Sequence, residues 1–222
     1  MVKKIITNRN LRGNVFEEVR NFVVNEVLPG EKINEDELAK NLDVSKTPVR
    51  ESLSKLAQIG IVNIIPNRGS FKTKLSKDDI LEIMVIREAL EGLCIRLAIK
   101  NITDTIIKKL KTILDEFETK HLENDFTRYS DTLQKFYAVV YETAKNQRLI
   151  RMIQGMLDLT RMFRALYYSN LDRVKHSLKV HREFIEVIER RDEESAENIR
   201  KDMVQSAYQF LLEMDRLERL GY

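Results

Sequence analysis

The chain has 222 residues, 43% hydrophobic and 33% charged, enough apolar material for one large folded domain or two small ones and too much for a disordered chain. One cysteine, Cys94, excludes an internal disulfide and a thiolate metal cluster, and three His are few for a hydrolytic metal centre. Seven Gly and three Pro favour long helices over an all-β chain. The absence of an eighteen-residue apolar run, and a basic start without an apolar stretch, predict a cytoplasmic protein with no membrane partner.

In chain order, Arg12 to Val27 reads as a helix with Val15, Val19, Phe22 and Val23 on one face, stopped by Pro29-Gly30. Asn34 is an N-cap for a short second helix, with Glu37 placed to complete a capping box and Leu38 and Leu42 facing inward. A third helix is expected to be capped by Thr47, with Pro48 at its first position. Its buried stripe is Val49, Leu53 and Leu56, and Gly60 ends it. Ile61 to Ile65 and Ser70 to Lys74 read as two strands about a Pro66-Asn67-Arg68-Gly69 turn. Three short helices closed by a hairpin make a winged helix-turn-helix.

Beyond Leu75 the pattern becomes one of long amphipathic helices. Ser76 and Asp79 form a capping box at the start of the first. Further helices are marked by Ile106 to Leu114, Tyr129 to Lys145, Leu149 to Tyr168, Val174 to Arg190 and Glu193 to Leu220. About six such helices can only form a bundle. The predicted class is therefore mainly α: a winged helix-turn-helix over 1–75, then an all-helical effector-binding and dimerisation domain over 76–222.

Charge follows the same division. Residues 1–75 carry 13 Lys or Arg against 9 Asp or Glu, while the remainder is close to neutral. A basic segment on a neutral body fits a nucleic-acid module. The third helix offers Lys46, Thr47 and Arg50 at its N-terminal end, the end that enters a major groove in helix-turn-helix proteins. Arg50 has the planar donor fork that matches guanine O6 and N7. Lys46 suits a phosphate or a base. Arg68 and Gly69 form a short wing tip, where Gly69 lets the backbone come close. Each feature alone also fits a solvated surface; their co-occurrence favours DNA.

These residues carry a resemblance. Leu28-Pro29-Gly30-Glu31-Lys32-Ile33, Asp36-Glu37-Leu38-Ala39, Val44 to Leu53 (VSKTPVRESL) and Pro66-Asn67-Arg68-Gly69 closely resemble the winged-helix signature of GntR-family bacterial transcription regulators. Ile80 to Arg87 (ILEIMVIR) and Leu90-Glu91 resemble the opening of the ligand-binding FCD-type domain of the FadR subfamily. The resemblance implies operator contacts at Lys46, Thr47 and Arg50 and wing contacts at Arg68 and Gly69. It also exposes a departure: Asp36 stands where the family usually has an arginine that touches DNA. That contact is expected to be missing or taken over by Lys40 or Lys46.

The resemblance further implies a divalent metal, often zinc, in the bundle of many subfamily members. The matching positions are Leu133, Tyr137, His181 and Met203, of which only His181 is a usual zinc ligand. No metal and no other cofactor are expected. Candidate effector-binding residues are Arg87, Tyr137, Tyr141, Asn146, Arg161 and His181. An arginine fork suits a small carboxylate or phosphate, and a pocket without metal also suits a larger acyl compound. The bland alternatives stay open: an ion pair of Arg87 with Glu91, a solvated or interface Arg161, a structural His181.

The resulting expectation is a homodimeric regulator, not an enzyme. Two winged helices would read a double-stranded operator of two-fold symmetry. A metabolite in the bundle would change operator affinity, with repression the favoured direction. The alternative is a regulator without effector whose bundle only dimerises. No nucleophile is paired with a base, there is no glycine-rich phosphate loop, and Cys94 falls on a helix stripe as core.

Overall fold

The computed structural model describes residues 15–213. Packing divides the chain into two compact units, one ending at Leu75 and the other beginning at Ser76.

The first unit is built from α1 (Val15–Glu26), α2 (Glu35–Asn41), α3 (Lys46–Gln58), β1 (Val62–Ile65) and β2 (Gly69–Lys72). The expected start of the first helix at Arg12 lies outside the described residues. Val19 and Val23 of α1, Leu38 of α2 and Val49, Leu53 and Leu56 of α3 are fully buried and form one core. The Asn34 side chain caps α2 by accepting from the backbone of Asp36 and Glu37 at 3.1 and 3.2 Å. The expected capping box does not close: the Glu37 carboxylate accepts from the Asn34 amide at 3.5 Å instead of from the Asn34 backbone.

α3 begins two residues earlier than the sequence suggests, with Ser45 as its N-cap. Pro48 therefore stands third in the helix. Its missing N–H is harmless there too, because the first four amides of a helix have no partner inside it. Between α2 and α3 the chain turns at Asp43, which takes a left-handed φ of 53°. The Val44 amide donates to the Ala39 carbonyl at 3.0 Å, which closes this turn. β1 and β2 pair antiparallel, Val62 opposite Lys72 and Ile65 opposite Gly69, with Asn67 in left-handed conformation at the tip. Lys72 reaches out of the hairpin and donates to the Val24 and Val27 carbonyls at 3.0 and 2.8 Å. A lysine there complements the negative end of α1.

The second unit contains α4 (Lys77–Ile99), α5 (Asp104–Lys120), α6 (Tyr129–Thr143), α7 (Gln147–Leu159), α8 (Arg161–Tyr167), α9 (Leu171–Glu189) and α10 (Glu193–Glu213). The continuation of the last helix to Leu220 falls outside the described residues. The Ser76–Asp79 capping box is present in both directions, at 2.7 and 3.1 Å. Its hydrogen bonds hold the Asp79 carboxyl below its ordinary pKa. Leu133, Phe136 and Val140 of α6, and Ala144 which caps its end, are all buried. Cys94 is wholly buried in the core, where desolvation pushes its thiol up to about 12. Gly92 lets α4 and α10 pack closely, since a Cβ there would lie 2.8 Å from the Lys201 side chain.

One predicted helix is two. Leu149 to Tyr168 breaks at Thr160, which ends α7 and starts α8. The Thr160 hydroxyl donates to the Met156 carbonyl at 2.8 Å and accepts from Arg87 at 3.2 Å. Both of these bonds hold the buried threonine at the bend. Among the described residues no helix is long and apolar enough to cross a membrane.

Candidate functional site

In the first unit the sequence candidates gather on two elements. Lys46, Thr47 and Arg50 are all exposed on the first turns of α3, and Arg68 is exposed at the hairpin tip. Gly69 opens β2 with φ 105°, a conformation that suits glycine. Lys40 is exposed near the end of α2. Arg50 and Lys46 already hold partners. The Arg50 Nε donates to Glu35 at 2.7 Å, and the other Glu35 oxygen accepts from the Ser70 hydroxyl at 3.2 Å. Lys46 pairs with Asp36. The acidic residue that departs from the family pattern thus sits against a basic residue of α3. Water and salt screen such exposed pairs, so a phosphate or a base edge can replace the carboxylate at little cost.

In the second unit the interior is unusually charged. Glu91 of α4 is wholly buried and bonded on both oxygens. One accepts from Arg87 at 2.7 Å, and the other accepts from Tyr141 at 2.6 Å and from Arg200 of α10. Burial alone would raise the Glu91 pKa, but the charges of Arg200 and Arg87 and the Tyr141 hydroxyl overcome it and hold it at about 2. The Arg200 guanidinium lies 3.8 Å above the Tyr137 ring. Tyr137 stacks on Tyr141 and places its hydroxyl 3.0 Å from His181 Nε2. His181 Nδ1 faces the Ser177 carbonyl at 2.7 Å. A carbonyl only accepts, so Nδ1 carries the proton and Nε2 accepts from Tyr137. Burial lowers the His181 pKa to about 3, so the ring is neutral.

Arg87, Tyr137, Tyr141 and His181 therefore belong to one bonded network. Arg87 makes the ion pair with Glu91 that was the bland reading, while remaining inside the bundle. Arg161 stands at the edge of this region, bonded to Gln134 at 2.9 Å and Asp131 at 3.2 Å. Asn146 is not brought to it: the residue is exposed and caps α7 by accepting from the Leu149 amide at 3.2 Å. Sequence reasoning missed Arg164 and Arg200 and saw Glu91 only as a partner for Arg87. A signal was present. Glu91 falls between Met84 and Ile95 on the buried stripe of α4, and Arg200 falls between Ala196 and Val204 on that of α10.

The positions implied for a metal do not fit one. Leu133 has no donor atom. Burial raises the Tyr137 pKa, so the hydroxyl keeps its proton, and it points that proton at acceptors, His181 Nε2 and the Met203 sulfur, rather than at a metal. The Met203 thioether is a poor zinc ligand, and the Arg200 cation lies on the adjacent ring. Among the described residues no three His, Cys, Asp or Glu side chains come close enough to hold an ion.

A three-helix unit with a β-wing, followed by a helical bundle with a polar interior, defines a DNA-binding regulator of transcription. The family comparisons agree. Residues 11–71 match the model of bacterial regulatory proteins of the gntR family, and residues 82–206 match the FCD domain. The chain belongs to the GntR family and carries an FCD domain; it is a DNA-binding transcriptional regulator, not an enzyme. It is 31% identical over 76% of its length to the HTH-type transcriptional regulator YdhC of Bacillus subtilis (strain 168), covering 75% of that protein. It is 27% identical over 77% of its length to the HTH-type transcriptional repressor RspR of Escherichia coli (strain K12), again covering 75%. The solved structure of E. coli McbR/YncC superposes with a TM-score of 0.78 at 20% identity, over 89% of this chain and 95% of that one.

Proposed function

We propose that the chain is a homodimeric repressor of FadR-subfamily type whose affinity for a two-fold operator changes when a small metabolite binds the helical unit. The observation that carries this reading is the buried network of Glu91, Arg87, Arg200, Tyr141, Tyr137 and His181. A bundle that served only to dimerise would not need charge in its interior, where desolvation is costly. Repression is supported by the relative named as a repressor, RspR.

Arg50 reads a base, with Lys46 and Thr47 beside it; Lys40 and Arg68 hold phosphates, and Gly69 allows close approach at the wing. Arg87, Tyr137, Tyr141 and His181 hold the effector without a metal, and Arg161 guards the edge. Asn146 is a helix cap in this reading. Dimerisation is supported by an apolar stripe on α4, where Val85, Ile86 and Leu93 are 60%, 49% and 45% exposed with Ala89 between them. An uncharged stripe is complementary to itself, as a two-fold interface requires.

Native mass spectrometry of the purified chain tests this. A dimer without metal supports the reading, and extra mass of a few hundred daltons names the effector class. A monomer, or one metal ion per chain, overturns it.

A further inference from the structure

Four guanidinium groups come together in the helical unit, and three have carboxylate partners. Arg87 and Arg200 share Glu91, and Arg161 pairs with Asp131. Arg164 of α8 has none among the described residues. Its Nε donates to the buried Ser130 hydroxyl at 3.1 Å, and its two terminal nitrogens make no hydrogen bond among the described residues. Burial, with the like charges of Arg87 and Arg161 nearby, pulls its pKa down to about 10. Tyr168 is close but cannot neutralise it, because burial raises the Tyr168 pKa and keeps the hydroxyl protonated. Among the described residues four cations thus face two carboxylates, and the unmatched one has no partner for its pair of parallel donors.

We propose that Arg164, flanked by Arg87 and Arg161, is an anion subsite that takes the carboxylate or phosphate group of the effector. The inference rests on the effector reading above and deepens it. A guanidinium with both terminal nitrogens free offers the two-pronged geometry that planar and tetrahedral oxyanions accept. Arg161 and Arg87 add attraction without having to leave Asp131 and Glu91. The anion supplies the counter-charge that the fold omits, so ligand binding stabilises the unit. Replacing the unpaired cation in the empty protein breaks no ion pair, relieves the like-charge crowding, and loses only the hydrogen bond to Ser130, which a glutamine amide can remake.

The test is thermal unfolding of the full chain in sodium phosphate and in sodium acetate, against sodium chloride at equal ionic strength. The wild type is expected to gain stability in at least one anion; phosphate alone indicates a phosphate group, acetate alone a carboxylate. Arg164→Gln should weaken that anion's apparent affinity by about tenfold or more while the anion-free melting temperature stays level or rises. Arg164→Lys should fall between. Arg161→Gln, at a partly exposed position, weakens the effect as well and stands in if Arg164→Gln does not fold. The proposal is overturned if neither anion acts beyond chloride, if both glutamine variants respond like the wild type, or if Arg164→Gln folds but melts lower without anion. Adding the same anion to the operator complex separates the two readings. An anion effect lost in Arg164→Gln, with operator affinity unmoved, keeps the subsite and removes the effector reading.

Discussion

The ion pairs of the two units differ in kind. In the winged-helix unit, Arg50–Glu35 and Lys46–Asp36 lie at the surface, where water and salt already weaken them. In the helical unit, Glu91 is wholly buried between Arg87 and Arg200. The first kind holds side chains in place so weakly that a competing anion can displace the carboxylate. The second kind cannot let go, because each charge would be left alone in a medium of low polarity. The same residue types therefore serve exchange in one unit and rigidity in the other.

The largest effect is expected where that rigidity is broken. Glu91→Gln leaves two buried guanidinium groups facing a neutral amide. It should destabilise the helical unit by about 3–5 kcal/mol, a fall on the order of 10 °C in its melting transition. Circular dichroism during heating reads this directly. A loss under 1 kcal/mol would mean that Glu91 is not the anchor of the interior.

Acid should act on the same unit next. Glu91 has a folded pKa of about 2, below its unfolded value, so its contribution is present above about pH 4.5 and fades as pH falls toward 2. His181 has a folded pKa of about 3 against 6.5 unfolded, so the unfolded chain takes up its proton first. Stability is lost from about pH 6.5 downward, with His181 acting first and Glu91 later. Urea unfolding at pH 7, 5.5 and 4.5 checks the order, and His181→Gln should flatten the slope between pH 6.5 and 4.5.

A smaller effect is expected at Lys40. If Lys40 holds a phosphate as proposed, Lys40→Ala should weaken operator and random DNA by the same few-fold factor and lower the salt slope of binding by about one. Unequal losses on the two DNAs would place Lys40 on a base. The smallest effect is at Glu35. Glu35→Gln frees Arg50 and should leave the melting temperature unchanged. Operator affinity should rise by no more than about fivefold in fluorescence anisotropy.

The winged-helix unit was readable because its signals are local. Val49, Leu53 and Leu56 repeat at helical spacing, Asn34 caps, and the Pro66–Gly69 turn separates two short apolar runs. Where local rules competed, the register slipped: Thr47-Pro48 looks like a helix start, yet Ser45 takes the cap and the proline is absorbed in the first turn. The bundle was readable as helices and only in part as a site: Arg87, Tyr137, Tyr141 and His181 come together, but the groups that join them were not foreseen. Thr160 carries no breaker signal in the sequence, and the Arg87 side chain that bonds its hydroxyl is 73 residues away. Arg164 carries no sequence mark, because pairing across helices leaves none at fixed spacing, and Arg200 is marked only by its place between Ala196 and Val204 on the buried stripe of α10. Asn146 shows the converse, a residue singled out for a ligand that the fold uses as a cap.

The account turns on α3 as the reader of sequence, and one binding experiment tests it most directly. Wild type and Arg50→Ala are titrated, at one salt concentration, against the DNA upstream of the chain's own gene and against a scrambled duplex of equal length. The account predicts that the wild type prefers the upstream DNA and that Arg50→Ala loses about 1–3 kcal/mol of that preference while still binding both duplexes. A variant that separates the two duplexes as well as the wild type does would contradict it.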